Sequence, residues 1–323
     1  MASSKEELPL ELSGVEVKAL CVGKKGMESK VRKRKKRITL MDSVSMFIVG
    51  LFALACTMPF LYVFCVSFMP YTEYLEDPLK VIPSKIDLTA YEQILDYELI
   101  KTGYGVTLFT TVVGTAFSVF LLVISAYPLS KKRLKGHKFF MGIVLFTMFF
   151  NGGMISNYIL VRGLGILNTV WALILPGCIS GFNLILMKNF VQMTIPESLE
   201  EAAKIDGATD LQVLFRVVAP LLKPAVATMV VFSAVNYWNN YFSAMMYVAD
   251  RKLWPLMLVL RELVVEDTSA VSPVTQMLTS QNRSHPFTLK MAAIVITVLP
   301  ILVVYPFMQK YFVQGVSLGS VKE

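Results

Sequence analysis

Two groups of residues in this 323-residue chain have types and spacings suited to a task. The first runs from Thr194 to Pro224 and reads TIPESLEEAAKIDGATDLQVLFRVVAPLLKP. Pro196 fits a first helical position, and Glu197, Glu200 and Glu201 put negative charge near the positive end of a helix. Ala202 and Ala203 are strong helix formers with little bulk. Gly207 can end that helix or allow a close backbone approach, and Asp210 is a suitable N-cap for a second one. The segment is therefore a short, smooth-faced helix, a turn and another helix. Such a shape suits insertion into a groove on another protein, or a connector lying at a membrane surface.

The second group is neutral. Asn236, Asn239, Asn240 and Ser243 follow i, i+3, i+4, i+7 spacing and would share one helical face, beside Tyr237, Trp238 and Tyr241. Asn151, Asn157 and Asn183 lie in other apolar stretches. An unsatisfied amide in hydrocarbon costs several kcal/mol, so these groups must face protein or a wet path. As interhelical contacts they would contribute about 0.6 to 2 kcal/mol each. As a path, amides with aromatic faces suit a polyhydroxylated solute, since they exchange hydrogen bonds with hydroxyls and cover apolar sugar faces. The solute that such a path suits is uncharged, although the neutral lining does not exclude a uronic-acid oligosaccharide, because a transient path need not neutralise its cargo. Both readings stand on sequence alone.

Other chemistry is thinly represented. Four scattered cysteines and two isolated histidines give no metal-ligand spacing and no CxxC pair, so neither a metal nor another cofactor is expected. The chain has no GxxxxGK[ST] loop, and any ATP it depends on is bound by another chain. No His/Asp/Glu cluster falls within an apolar stretch, which disfavours an intramembrane enzyme. The same stretches carry no Asp, Glu, Lys or Arg, which disfavours an ion-coupled carrier.

The elements that must position these groups are membrane helices. Apolar residues make up 55% of the chain and charged residues only 17%, more grease than a soluble core of this length can use. Six uncharged stretches stand out: Val44–Met69, Tyr104–Ser130, Phe139–Val161, Leu164–Met187, Pro224–Ala249 and Met291–Gln309. Each is long enough to cross a hydrocarbon core of about 30 Å as a helix. Pro128, Pro176, Pro300 and Pro306 fall inside them, where kinks are tolerated. The expected fold is an all-α membrane protein of six transmembrane helices over 38–323, with the helix-turn-helix connection at 194–224 between the fourth and fifth.

Charge sets the expected orientation. Residues 1–37 hold 11 bases and 5 acids and read as a basic, mostly disordered cytoplasmic leader. Placed before an apolar span, that run is a cytoplasmic flank rather than a nucleic-acid arm, for which residues 44–323 would be superfluous. An N-in, C-in topology leaves 22 bases inside and 9 outside. Ala53-Leu54-Ala55 resembles a cleavage site, but the apolar run continues to Met69 and is too long for a signal peptide. Outside, a short helix is expected around Tyr91–Ile100. Trp254–Val265 is amphipathic through Leu256, Leu260, Leu263 and Val264, and would lie on the membrane or against a partner.

Glu201-Ala202-Ala203, Gly207 four residues on and Pro220 thirteen further resemble the EAA motif of binding-protein-dependent ABC importer permeases. Val217 and Ala219 replace the usual isoleucine and leucine at its end. The extended form from Pro196 to Ala208 is similar to the carbohydrate-uptake branch. Asn151-Gly152-Gly153-Met154 and Leu167-Asn168-Thr169 through Gly177 resemble polysaccharide or complex-oligosaccharide permeases of Firmicutes. Tyr311 to Gly315 and Gly319 to Lys322 resemble the tail of the maltose-type second permease. The resemblance implies a MetI-like fold in a multi-pass protein of the bacterial cell membrane. It implies one permease of an importer with a second homologous permease, two cytoplasmic ATPase subunits and an extracellular sugar-binding protein. ATPase coupling would fall to Glu201, Ala202, Ala203, Asp206, Gly207 and Pro220. The tail residues Gly315, Gly319 and Lys322 would contact the ATPase. Asn151, Asn183, Asn236, Trp238, Asn239, Asn240 and Ser243 are the expected substrate path. A permease of the same architecture for another polar solute is the alternative within transport.

Overall fold

The structure, a computed structural model, describes residues 40–78, 80–265 and 284–320, so the basic leader and Lys322 lie outside the described residues. Every regular element among these residues is helical. The chain divides into two units, Met1–Thr57 and Met58–Glu323. Helix α1 (Leu40–Val66) starts in the first and ends in the second; in the first, its large apolar side chains, such as Phe47 and Phe52, are exposed, as expected of residues that meet lipid.

The second unit continues with α2 (Tyr71–Glu76), α3 (Thr89–Asp96) and α4 (Glu98–Ser130). Next come α5 (His137–Phe149), α6 (Gly153–Gly163), α7 (Trp171–Ile174), α8 (Gly181–Thr194) and α9 (Glu197–Ile205). Helix α10 (Asp210–Leu221) includes a π-helical segment, Val213–Val218. After it lie α11 (Lys223–Trp238), α12 (Phe242–Tyr247), α13 (Leu256–Val265) and α14 (Pro286–Ser320).

Helix α4 is the spine of this unit. Its 33 residues rise about 50 Å, and α8, α11 and α13 all pack on it. Small and hydroxyl side chains let neighbours approach: a Cβ on Gly103 would stand 3.3 Å from the Leu256 backbone, and Thr107 Oγ1 accepts a hydrogen bond from the Leu256 amide at 2.8 Å. That bond satisfies one of the free donors at the start of α13 from a different helix. Three buried clusters follow. Leu122, Ala126, Met187, Val213, Leu222 and Met229 join α4, α8, α10 and α11. Ile94, Ile100, Leu256, Val259 and Ala292 join α3, α4, α13 and α14. Val161, Leu173, Ala244 and Leu258 form the third.

Three of the six apolar stretches are not continuous helices. The third bends by 116° between α5 and α6, and the fifth is interrupted after Trp238. The fourth is split into the four-residue α7 and the separate α8, with Pro176 in the gap, where its ring and missing N–H oppose a continuous helix. By length and composition the described residues hold three crossing helices, or five if each bent pair is one crossing. The short helix expected around Tyr91–Ile100 is Thr89–Asp96, ended at Tyr97 before α4 starts. In the amphipathic piece after Trp254, Leu256, Val259 and Leu263 are buried against its own chain, while Val264 is exposed.

Candidate functional site

Helix α9 presents the Glu-Ala-Ala sequence outward. Glu201, Ala202 and Asp206 are exposed, Ala203 is half-buried, and Ile205 stands 86% exposed at the helix end. The helix stops in a complete Schellman arrangement: the Gly207 amide donates to Lys204 O and the Ala208 amide to Ala203 O, both at 3.0 Å. Gly207 holds φ at +84° with open space around it, so its requirement is conformational rather than steric. The next N-cap is Thr209, not Asp210 as the sequence suggested. Thr209 and Gln212 form a reciprocal capping box, and Asp210 in the first turn pairs with Lys204 at 2.6 Å.

This turn rests on a packed base. Val213, Leu214 and Val218 of α10 are buried in the cluster shared with α4 and α8. The π-helical segment precedes Pro220, which lacks an N–H to donate into an ordinary α-helical turn. The chain then turns by 81° around the buried Leu222 into α11. The inner face of α9 holds one side chain that sequence reasoning treated only as helix-end charge. Glu200, 2% exposed, accepts a hydrogen bond from Lys131 Nζ at the end of α4 and one from the Tyr127 hydroxyl at 3.4 Å.

At the far end of α11 the helix stops at Trp238 and restarts as α12. The common face expected of Asn236, Asn239, Asn240 and Ser243 therefore does not exist as one helical stripe. The break instead gathers the four onto one cavity of about 610 Å³, walled also by Leu173 and Phe232. Their own bonds are local apart from that of Asn240 Nδ2, which donates to Leu173 O at 3.5 Å. Asn239 Nδ2 donates to Val235 O at 2.9 Å, and Asn240 Oδ1 accepts from the Ser243 amide at 3.2 Å. No charged side chain lines this cavity.

The wall is fixed by Tyr237, a residue noted in the sequence only as an aromatic neighbour. Its hydroxyl donates to Ile174 O at 3.0 Å and so receives the Ser118 hydroxyl at 2.9 Å. Its ring lies where a side chain on Gly114 would be, with Cζ 2.7 Å from that position. The other expected path residues are elsewhere. Trp238 packs on the cluster around Leu256 and Ala292, Asn183 is half-buried on α8, and exposed Asn151 lies just before α6, its side chain accepting from the Gly153 amide at 2.9 Å. None of the three lines the cavity. Gly315 and Gly319 lie within α14. No group of three or more metal-ligating side chains occurs among the described residues.

Residues 26–318 match the family described as binding-protein-dependent transport system inner membrane component. The chain belongs to this family. Among its relatives, the polygalacturonan/rhamnogalacturonan transport system permease protein YtcP of Bacillus subtilis is 44% identical over 88% of this chain and 98% of that one. Protein LplC of the same organism is 43% identical over 88% and 95%. A crystal structure of a bacterial ABC transporter involved in the import of the acidic polysaccharide alginate contains a chain that superposes with a TM-score of 0.77. It is 35% identical, over 86% of this chain and 98% of that one. A chain of bacterial alginate ABC transporter in complex with a pentasaccharide-bound periplasmic protein, at 16% identity and TM-score 0.53, shares the fold. The MetI-like permease fold expected from the Glu-Ala-Ala motif is thus the fold of this chain, an inner membrane component of an ABC transporter.

Proposed function

We propose that this chain is one permease half of an ATP-driven importer for oligosaccharide, coupled to a separate cytoplasmic ATPase pair through α9 and the turn at Gly207. The observation that carries the reading is the construction of that segment. Glu201, Ala202 and Ile205 are exposed on a helix whose base is locked into the span core and whose end is fixed by a left-handed glycine. A rigid helix with a bare, small-residue face fits a groove on a partner.

The remaining roles follow as part of the same proposal. All six apolar stretches cross the membrane with both termini in the cytoplasm, the fourth as α7 and α8 together. The cavity at the break after α11 is the substrate path, with Asn236, Asn239, Asn240 and Ser243 exchanging hydrogen bonds with sugar hydroxyls. Interrupted helices near a cavity are a recurring way to form a transport site. Polygalacturonan, rhamnogalacturonan and alginate in the names of the relatives support a uronic-acid-containing oligosaccharide as cargo. The complex is completed by a second homologous permease, two ATPase subunits contacted also by the tail around Gly315, Gly319 and Lys322, and an extracellular sugar-binding protein. Reconstitution in liposomes with candidate partners tests it. ATP hydrolysis stimulated by binding protein loaded with oligogalacturonate, with uptake of the sugar, is expected. Stimulation by an unrelated polar solute and none by any oligosaccharide would refute the cargo class.

A further inference from the structure

We propose that Lys131 and Glu200 form a transmission latch, positioning residues that make the end of α4 move with the coupling helix α9. The inference rests on the reading that α9 docks on an ATPase. Helix α9 has nine residues, and around Glu200 the side chains of Glu197, Ser198, Glu201, Ala202 and Lys204 are exposed. Glu200 alone among its acids turns inward, about 100° around the helix from the docking residue Glu201. One face of α9 is thus free for a partner while the next is ion-paired to a span helix.

The other half of the latch is built to hold still. Lys131 is the C-cap of α4, where a cation meets the negative end of the helix, and its side chain is only 14% exposed. Its Nζ lies 5.1 Å from the Tyr127 ring centroid, one turn back, and the Tyr127 hydroxyl reaches the second oxygen of the same carboxylate. Ser130 Oγ donates to Tyr127 O at 2.6 Å, and Gln192 Nε2 of α8 donates to Ser130 O at 2.7 Å. A buried ion pair adds little stability compared with apolar residues of the same volume, but it fixes direction, because its bonds are made in one arrangement only. A contact needed only for packing would be served by a leucine pair. The charges supply a connection that resists sliding of α9 along α4 while the outer face is pulled.

The test uses the whole importer reconstituted with its ATPase. Lys131→Met and Glu200→Gln should keep ATPase co-purification and basal hydrolysis, while uptake falls about tenfold and ATP consumed per sugar rises by the same factor. The exchange Lys131→Glu with Glu200→Lys should recover much of the lost uptake, as a direct pair requires. Lys131→Arg, which keeps the charge, should remain coupled. Uptake within about twofold of wild type in both single variants would overturn the latch. So would parallel loss of hydrolysis and uptake with an unchanged ratio, the signature of a merely misfolded loop. Failure of the docking reading is separate: there the wild-type chain itself would not co-purify the ATPase, or Glu201→Lys would leave association unchanged.

Discussion

Gly114 is the position where a single methyl group should report on the whole cavity wall. An alanine there would place Cβ 2.7 to 2.9 Å from three carbons of the Tyr237 ring, whereas carbons rest at about 3.5 to 4.0 Å. The ring must retreat by about 0.8 Å, which stretches its two hydroxyl bonds from about 3 Å toward 3.7 Å, beyond useful range. Crowding costs about 1–3 kcal/mol, and two buried bonds about 0.5–1.5 kcal/mol each. The better helix propensity of alanine returns up to about 1 kcal/mol. The net expectation is a loss of about 1–6 kcal/mol, read by unfolding purified protein with SDS in mixed micelles. The decisive comparison is the same substitution in a Tyr237→Ala background, where the clash is gone and Gly114→Ala should be neutral or stabilising. An equal penalty in both backgrounds, or none in the wild type, would refute the steric reasoning.

Other outcomes are equally open to measurement. Gly207→Leu should strain the left-handed backbone by about 1–2 kcal/mol and weaken ATPase co-purification, while Gly207→Asn is tolerated better, a ranking that a docking role set by volume alone would not give. Asn236→Ala should slow uptake while stability stays within about 1 kcal/mol, since an exposed amide on a wet wall loses little; a proportional fall in stability would make it a structural contact. Single cysteines at Gly136 and Lys204 should resist impermeant thiol reagents in intact cells and one at Asp77 should label, and the reverse pattern would invert the topology. In the 70–103 segment, a hydrogen bond from Lys80, with a second from the Ser84 amide, lowers the Glu73 carboxyl to about 2. Its contribution to ordering that loop is complete above the ordinary value near 4.5 and is lost as pH falls toward 2. A spin label at Ile82 should stay immobile at pH 5 and loosen near pH 2, and loosening at pH 5 in Glu73→Gln is the control.

The 194–224 segment was legible because its signals are local. A proline at a helix start, acids in the first turn, alanines and a terminal glycine each act through the backbone within a few residues, and the structure realises them with Pro196 at the N-cap rather than at the first helical position. Even there the cap fell to Thr209 rather than Asp210, because Gln212 lies at the spacing that completes a capping box and Lys204 recruits the aspartate. The neutral cluster was legible in composition but not in geometry. Periodicity assumes an unbroken helix, and the phase carried from Asn236 to Ser243 is lost when α11 ends at Trp238. What brings those residues together is the gap itself. The inward turn of Glu200 was not legible at all. Among five bases from Lys131 to Lys138 and three acids in α9, nothing in the sequence says which two meet, since the answer depends on how α4 and α8 set the height of the loop.

The two ends of this unit are joined by two routes, one a continuous helix and the other bent, and Tyr237 is where they converge. From the Lys131 contact, α4 runs back thirteen residues, about 20 Å, to Ser118 as one continuous helix, with Pro128 in its last turn. From the turn at Gly207, the second route passes through α10, the 81° bend at Leu222 and the length of α11. The hydroxyl of Tyr237 is carried by the second route and the Ser118 hydroxyl by the first. On the proposed reading, a displacement of α9 that moves α4 and α11 unequally must break that 2.9 Å bond or shift the ring against Gly114. Because packed interfaces have discrete arrangements rather than a continuum, the cavity wall then has two states, set by whether Tyr237 keeps Ser118. Tyr237→Phe removes this bond together with the one to Ile174 O but keeps the ring, and Ser118→Ala, which removes this bond alone, should act in the same direction. Tyr237→Phe should leave ATPase binding untouched and shift the balance between those states, visible as basal hydrolysis that no longer depends on loaded binding protein. Retention of full stimulation in this variant would mean that the two helices move as one body and that the wall opens elsewhere.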